Sequence, residues 1–309
     1  MRGGEQTIAP EAAVRCAPWT REQRVDPIGT AGCYAGYLLV EWPLPWPRDI
    51  AVLPGAAELA AAASRAGLRL QALVGEPGAE RAHVITYRRA RAGAGFTRHE
   101  QLVRPDRVVE AGLALVADPG PAARDAIVGD ALVCTHGSRD RCCGSLGTSL
   151  ALELAALDGR WPSGIRLWRT SHSGGHRFAP TATVLPEGTA WAYLDADALV
   201  RILRREGPLD DLLPRYRGCA ALGSPGEQVL ERAVLAEIGW PLLRAGRAGR
   251  ADADGHVELA VELDDGSRPT FSGTVGVARM MPVPACGSPI DAAEKSEPEL
   301  ALSGFARIS

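Results

Sequence analysis

Lysine is nearly missing from this chain. Lys295 is the only one among 309 residues, so almost all positive charge is arginine. That pattern is read as coding bias, because 34 basic residues against 37 acidic ones leave a net charge of −3. Such a balance makes no field that would recruit nucleic acid or an anionic membrane. No apolar run reaches the ~18 residues that a membrane-spanning helix needs, and the alanine-rich stretch 56–66 is interrupted by Glu58 and Arg65. Residues 1–10 lack a basic segment followed by an apolar run, so no secretory signal is expected and the cytoplasm is the expected compartment. Seven cysteines, an odd number in a large chain, argue against a disulfide framework. They are expected to be reduced, buried, redox-active or metal-bound.

What is present is ordinary for a globular protein: 46% apolar and 23% charged residues. The length is generous for one core and comfortable for two. Residues 1–30 read as an irregular lead-in. The apolar run 37–42 suits a strand, 58–66 fits a helix closed by Gly67, and 68–74 and 83–87 suit strands. A helix near 122–128 would complete a β, α, β, β, α unit over 31–128.

The same order recurs over 129–220. A short strand ends at Cys134. Leu146, Leu150, Leu154 and Leu157 then form one helical stripe. A strand over 165–168, a hairpin around Pro186-Glu187-Gly188 and a helix carrying Leu199, Ile202 and Leu203 follow. The alternation predicts an α/β fold with a three-layer domain. In the last part, Ser224-Pro225-Gly226-Glu227 has capping-box form with proline at the first helical position. Alternating Val257, Leu259, Val261 and Leu263 lead through Asp265-Gly266 into a second strand, so 221–287 reads as a small helix-plus-hairpin appendage. Residues 288–309 read as a poorly ordered tail.

Chemistry concentrates in one window. It opens with Cys134-Thr-His136-Gly-Ser-Arg-Asp140-Arg141-Cys142-Cys143-Gly144 and closes with His172-Ser-Gly-Gly-His176. Three of the seven cysteines and three of the six histidines lie here. A thiol pair with eight residues between its members leaves a strand end and returns at a helix start, where the thiolate, the metal-binding form, is favoured. Two imidazoles four residues apart with two glycines between them can wrap one metal ion from a loop. Any one of these residues alone would usually be structural, and Cys16, Cys33, Cys219 and Cys286 are read that way. Two pairs with chelate spacing are hard to explain as packing, which makes Cys134, Cys143, His172 and His176 the expected ligands of a metal site.

The segment resembles the sucrase/ferredoxin-like family, a group of thioredoxin-like ferredoxins. The resemblance rests on the spaced cysteine pair, the His172-x-x-x-His176 pair, Pro180, the Pro186-Glu-Gly188 turn with Trp191 and Tyr193, and the Val-Glu-Trp-Pro lead-in at 40–43. It covers most of 30–220. It implies a thioredoxin-like domain over 129–220, preceded by a second, degenerate thioredoxin-like unit. It also implies a 2Fe-2S cluster of the bis-histidinyl, non-Rieske kind, with one iron on Cys134 and Cys143 and the other on His172 and His176. Cys143, with its eight-residue spacing and following glycine, matches the family better than Cys142, which stands as the alternative ligand. His136, Asp140, Arg141, Arg177 and Pro180 are expected around the ligands. Two neutral imidazoles in place of two thiolates make a cluster less negative and raise its potential, as in Rieske centres, and electron transfer could be coupled to proton uptake.

The implied function is electron transfer with an unidentified redox partner protein, involving neither nucleic acid nor membrane. A carrier is expected rather than a catalyst: paired carboxylates for sucrose hydrolysis cannot be picked out. Structural zinc on the same four residues satisfies the residue identities equally. A thiol redox protein using Cys142 and Cys143 is the further alternative, although vicinal cysteines make a strained disulfide. A binding module whose metal site has decayed is a third.

Overall fold

The computed structural model describes residues 13–89, 95–157 and 161–309. The first unit runs β1 (Gly36–Trp42), α2 (Ala56–Arg65), β2 (Leu68–Val74), β3 (Ala82–Arg89), β4 (Phe96–Val103) and α3 (Val108–Ala117), after a short α1 (Cys16–Glu22). The second runs β5 (Gly129–Cys134), α4 (Thr148–Ala155), β6 (Ile165–Thr170), β7 (Ala182–Leu185), β8 (Thr189–Trp191) and α5 (Ala196–Arg204), with β9 (Tyr216–Cys219) added at its edge. Each unit orders its four strands second, first, third, fourth, with the first two parallel and the others antiparallel. That is the thioredoxin-like arrangement made twice.

The two units join edge to edge through β2 and β6, where Leu73 stands opposite Thr170, into one nine-stranded sheet. Alternation along β1 decides its two faces. Leu38 and Val40 pack with Leu59 and Ala63 of α2 and Leu115 of α3, while Tyr37 and Leu39 pack with Ile85, Phe96, Leu132 and Leu185 on the other side. The sheet curls until the start of β4 meets the β7–β8 turn, where the Phe96 N–H donates to the Pro186 carbonyl at 2.8 Å. A buried polar network crosses between the units. Arg166 bridges Asp130 and Glu100, and Tyr87 and Trp168 both donate to Asp130.

The remaining chain forms α6 (Pro225–Ile238) and an antiparallel sheet of β10 (Gly246–Ala251), β11 (His256–Glu262), β12 (Thr270–Pro282) and β13 (Ser296–Arg307). Ser224 caps α6 by accepting from the Glu227 N–H at 3.2 Å, and the Glu227 carboxylate accepts from the Gly223 N–H at 2.9 Å. Leu230 and Val234 of α6 join Val257, Leu259 and Phe271 in the core that also holds α4 and α5.

Several local expectations differ from the structure. The lead-in carries α1, while residues 1–12 lie outside the described residues. No helix forms at 122–128; the first unit closes with α3 over Val108–Ala117. Strand β4 has no apolar alternation to mark it: Arg98 pairs with Glu100 and Asp125, Glu100 also meets Arg166, and His99 faces the Pro121 carbonyl. The expected hairpin of β11 and β12 is flanked by β10 and β13, so the appendage is a four-stranded sheet. Residues 296–307, expected as part of a loose tail, are held as β13 by its pairing with β12. Among the described residues, no helix is long and apolar enough to cross a membrane.

Candidate metal centre

Strand β5 delivers Cys134 at its C-terminal end, where β1 of the first unit ends on Trp42. The chain loops through 135–142 and enters a π-helical turn, Cys143–Gly147, that leads into α4. Gly147 allows this turn to lie against the strand end: a Cβ there would fall inside the Cys134 carbonyl oxygen and 3.1 Å from its carbon. The Cys134, Cys143 and His172 donor atoms then lie within 4.8 Å of one another. Both sulfurs are buried, and the imidazole is partly exposed. His172 Nδ1 is buried with no hydrogen-bond partner. Two thiols and an unpartnered imidazole nitrogen are a donor set that fits a soft or borderline metal.

The hydrogen bond from Cys143 is the main influence holding the Cys134 thiol well below its ordinary range, with His172 adding to it; Cys143 is pushed up by the same interaction and by burial.

The loop bearing His172 is set by the first unit. Ser171 exchanges two hydrogen bonds with Ala72 of β2, at 2.8 and 2.9 Å, and Arg69 donates to the His172 carbonyl at 2.9 Å. His136 completes the clamp. Its Nδ1 accepts from the His172 N–H at 3.1 Å, so its Nε2 carries the proton and donates to the Pro47 carbonyl at 2.9 Å. Burial lowers the His136 pKa, consistent with a neutral ring.

His176 occupies a 3-10 turn (His176–Phe178), with its ring centroid 5.9 Å from that of His172. Its Nδ1 faces Asp140 Oδ2 at 3.2 Å and Cys16 Sγ at 3.4 Å. The structure therefore gathers three of the four expected ligands and places the fourth beside them, turned toward Asp140. Asp140 Oδ1 also accepts from the Cys142 and Cys143 N–H groups, at 2.8 and 3.2 Å. Burial would raise this carboxyl, but His176 and the two N–H donors outweigh it and hold it at about 2.

Cys142 does not join the trio. Its sulfur lies 3.2 Å from Cys286 Sγ and belongs with Cys16, Cys286 and Asp140, whose donor atoms also lie within 4.8 Å of one another. The neighbours Cys142 and Cys143 thus face different partners. Arg177 is buried against Phe178 and pairs with Glu297 of β13 at 3.0 Å. The Pro180 carbonyl accepts from the Leu194 N–H, and Arg141 lines the cleft outside the ligands.

Arg217 supports the histidine loop from beneath. Fully buried, it donates to the Thr30 carbonyl at 2.6 Å and to the Gly174 carbonyl at 3.3 Å. Gly175 has φ +70° and packs on the guanidinium, so a side chain there would be excluded twice over. No motif marks Arg217, since its partners are far away in the chain. The same holds for Cys16 and Cys286.

A cleft of about 620 Å³ opens over the histidine side. Arg48, Arg139, Arg141, Arg177, Arg217 and Lys295 line it against two carboxylates, Asp140 and Glu297. The thiol side is buried in the fold, and the imidazole side faces this positive mouth.

A family model described as sucrase/ferredoxin-like matches residues 27–218. That match includes every residue of the trio as well as His176 and Arg217. No curated protein and no solved structure matches the chain significantly.

Proposed function

Because the chain belongs to the sucrase/ferredoxin-like family, we propose that it is an electron carrier whose 2Fe-2S cluster is held by Cys134, Cys143, His172 and His176. The observation that carries this reading is the convergence of two buried thiols on an imidazole whose Nδ1 has no partner, with a second imidazole alongside. When bound, the cluster would supply one-electron transfer. The chain's own residues prepare for it. His136 and Arg69 fix the His172 main chain. Asp140 accepts at His176 Nδ1, so the proton sits there and Nε2 keeps a free lone pair for a metal. The fold keeps water from both sulfurs, while the imidazole edge faces the arginine-lined cleft. That mouth suits a cytoplasmic redox partner that presents acidic groups.

Two thiolates and two imidazoles would also hold tetrahedral zinc, and metal analysis separates the two readings. Freshly purified anaerobic protein is expected to be red-brown with two irons per chain. His176→Cys should shift the visible bands, and Cys134→Ser should abolish them. A colourless protein with zinc at Cys134 and Cys143 would refute electron transfer.

A further inference from the structure

We propose that Cys16, Cys142, Cys286 and Asp140 form a second metal site, structural in role and suited to zinc. It lies beside the first and ties the start of α1 and the segment after β12 to the loop that bears Asp140 and Cys142. The four donors come from widely separated segments. Cys16 opens α1, Asp140 and Cys142 sit in the loop before the π-helical turn, and Cys286 follows β12. Cys16, Cys142 and Asp140 are buried, and Cys286 is partly so.

The distances suit a small thiophilic cation. Cys286 Sγ lies 3.2 Å from Cys142 Sγ and 3.3 Å from Cys16 Sγ. Cys16 Sγ is 3.5 Å from Asp140 Oδ2, and Cys286 Sγ is 3.8 Å from Oδ1. With metal–sulfur bonds of about 2.3 Å, a tetrahedral site has sulfur–sulfur edges of about 3.8 Å. Admitting the ion therefore needs the sulfurs to spread by only about 0.5 Å. A disulfide would need two of them to close to about 2.05 Å, and it would leave the third thiol and the carboxylate without a role. Three sulfurs and one carboxylate at the corners of one small volume make a zinc-type donor set. The Cys16 N–H already points at Cys286 Sγ, at 3.4 Å, a contact that supports a ligating thiolate.

The surroundings explain what such an ion would do. Next to the cluster, Val14 and the 287–288 segment exchange two backbone hydrogen bonds, at 2.9 and 3.1 Å, so the segment before α1 and the segment after β12 already run together. An ion there would join that seam to the Cys142–Cys143 peptide. Asp140 also faces His176, but Cys286 is placed by Cys16 and Cys142, so replacing Cys286 tests this site apart from the 2Fe-2S cluster.

The test is metal analysis of anaerobically purified protein and its variants. About one zinc per chain is expected in addition to the iron. Cys286→Ser should lose the zinc while keeping iron and visible spectrum; Cys134→Ser should lose iron and keep zinc. Should the serine variants fail to fold, alkylation of the wild-type protein serves instead: Cys16, Cys142 and Cys286 should be protected until a chelator is added. Wild-type protein without zinc, zinc retained in folded Cys286→Ser, thiols equally reactive with and without chelator, or a disulfide among these cysteines in fresh protein would each overturn the proposal.

Discussion

Gly147→Ala sets two physical effects of opposite sign against each other at the heart of the candidate centre. Gly147 has ordinary helical angles, φ −68° and ψ −37°. Helix propensity alone therefore predicts that alanine stabilises by about 1 kcal/mol. The new Cβ, however, would overlap the Cys134 carbonyl oxygen. Its obstacle is main chain, which no rotamer change can move aside. Overpacking of this kind costs about 1–3 kcal/mol, and a rigid strand end places it near the upper limit. The net expectation is destabilisation by about 2 kcal/mol, which lowers a urea midpoint by about 1 M for an m-value near 2 kcal/mol/M. Relief of the clash must separate the turn bearing Cys143 from the strand bearing Cys134, so bound metal should also be stripped faster by a chelator. The assay is urea unfolding of metal-free protein, followed by chelator kinetics on the loaded form. A midpoint equal to or above wild type would show that the close approach does not constrain the site.

Two further outcomes follow from buried charge away from the site. Glu231 of α6 is fully buried and accepts from Tyr216 Oη at 2.8 Å, the Cys219 N–H at 3.1 Å and Arg247. Glu231→Gln leaves the buried Arg247 without a counter-charge and should cost about 3–5 kcal/mol in urea unfolding; adding Arg247→Met should recover part of that loss. At Glu100, burial pushes the carboxyl up, but hydrogen bonds from His83 and Arg166, with the charges of Arg166 and Arg98, outweigh it and hold it at about 2, against an ordinary 4.5. A carboxyl depressed on folding stabilises fully above about pH 4.5, and that stability is lost as the pH falls toward 2. The gap corresponds to about 3 kcal/mol. Glu100→Gln should lower stability at pH 7 and flatten the decline between about pH 4.5 and 2, measured by unfolding across that range.

Much of the local structure was legible in the sequence for a simple reason: a helix or strand that buries one face repeats its apolar residues with its own period. Leu150 and Leu154 marked α4, Val257, Leu259 and Val261 marked β11, and Ser224 with Glu227 marked the start of α6. The candidate loops stood out too, because Cys134 and Cys143, and His172 and His176, are close in sequence and chelate spacing is a local property; the structure brings Cys134, Cys143 and His172 within 4.8 Å of one another. What had no periodic signature was decided by tertiary structure alone. Strand β4 is polar because a buried ion network receives its side chains, and β13 exists because the edge of β12 was free to pair. The joining of β2 to β6, the turn of His176 toward Asp140, the placement of Arg217 under the Gly174–Gly175 loop, and the meeting of Cys16, Cys142 and Cys286 all bring together residues tens to hundreds of positions apart. Residue identity carries no record of such distances. They are set only when the cores of the two units and the appendage close on one another.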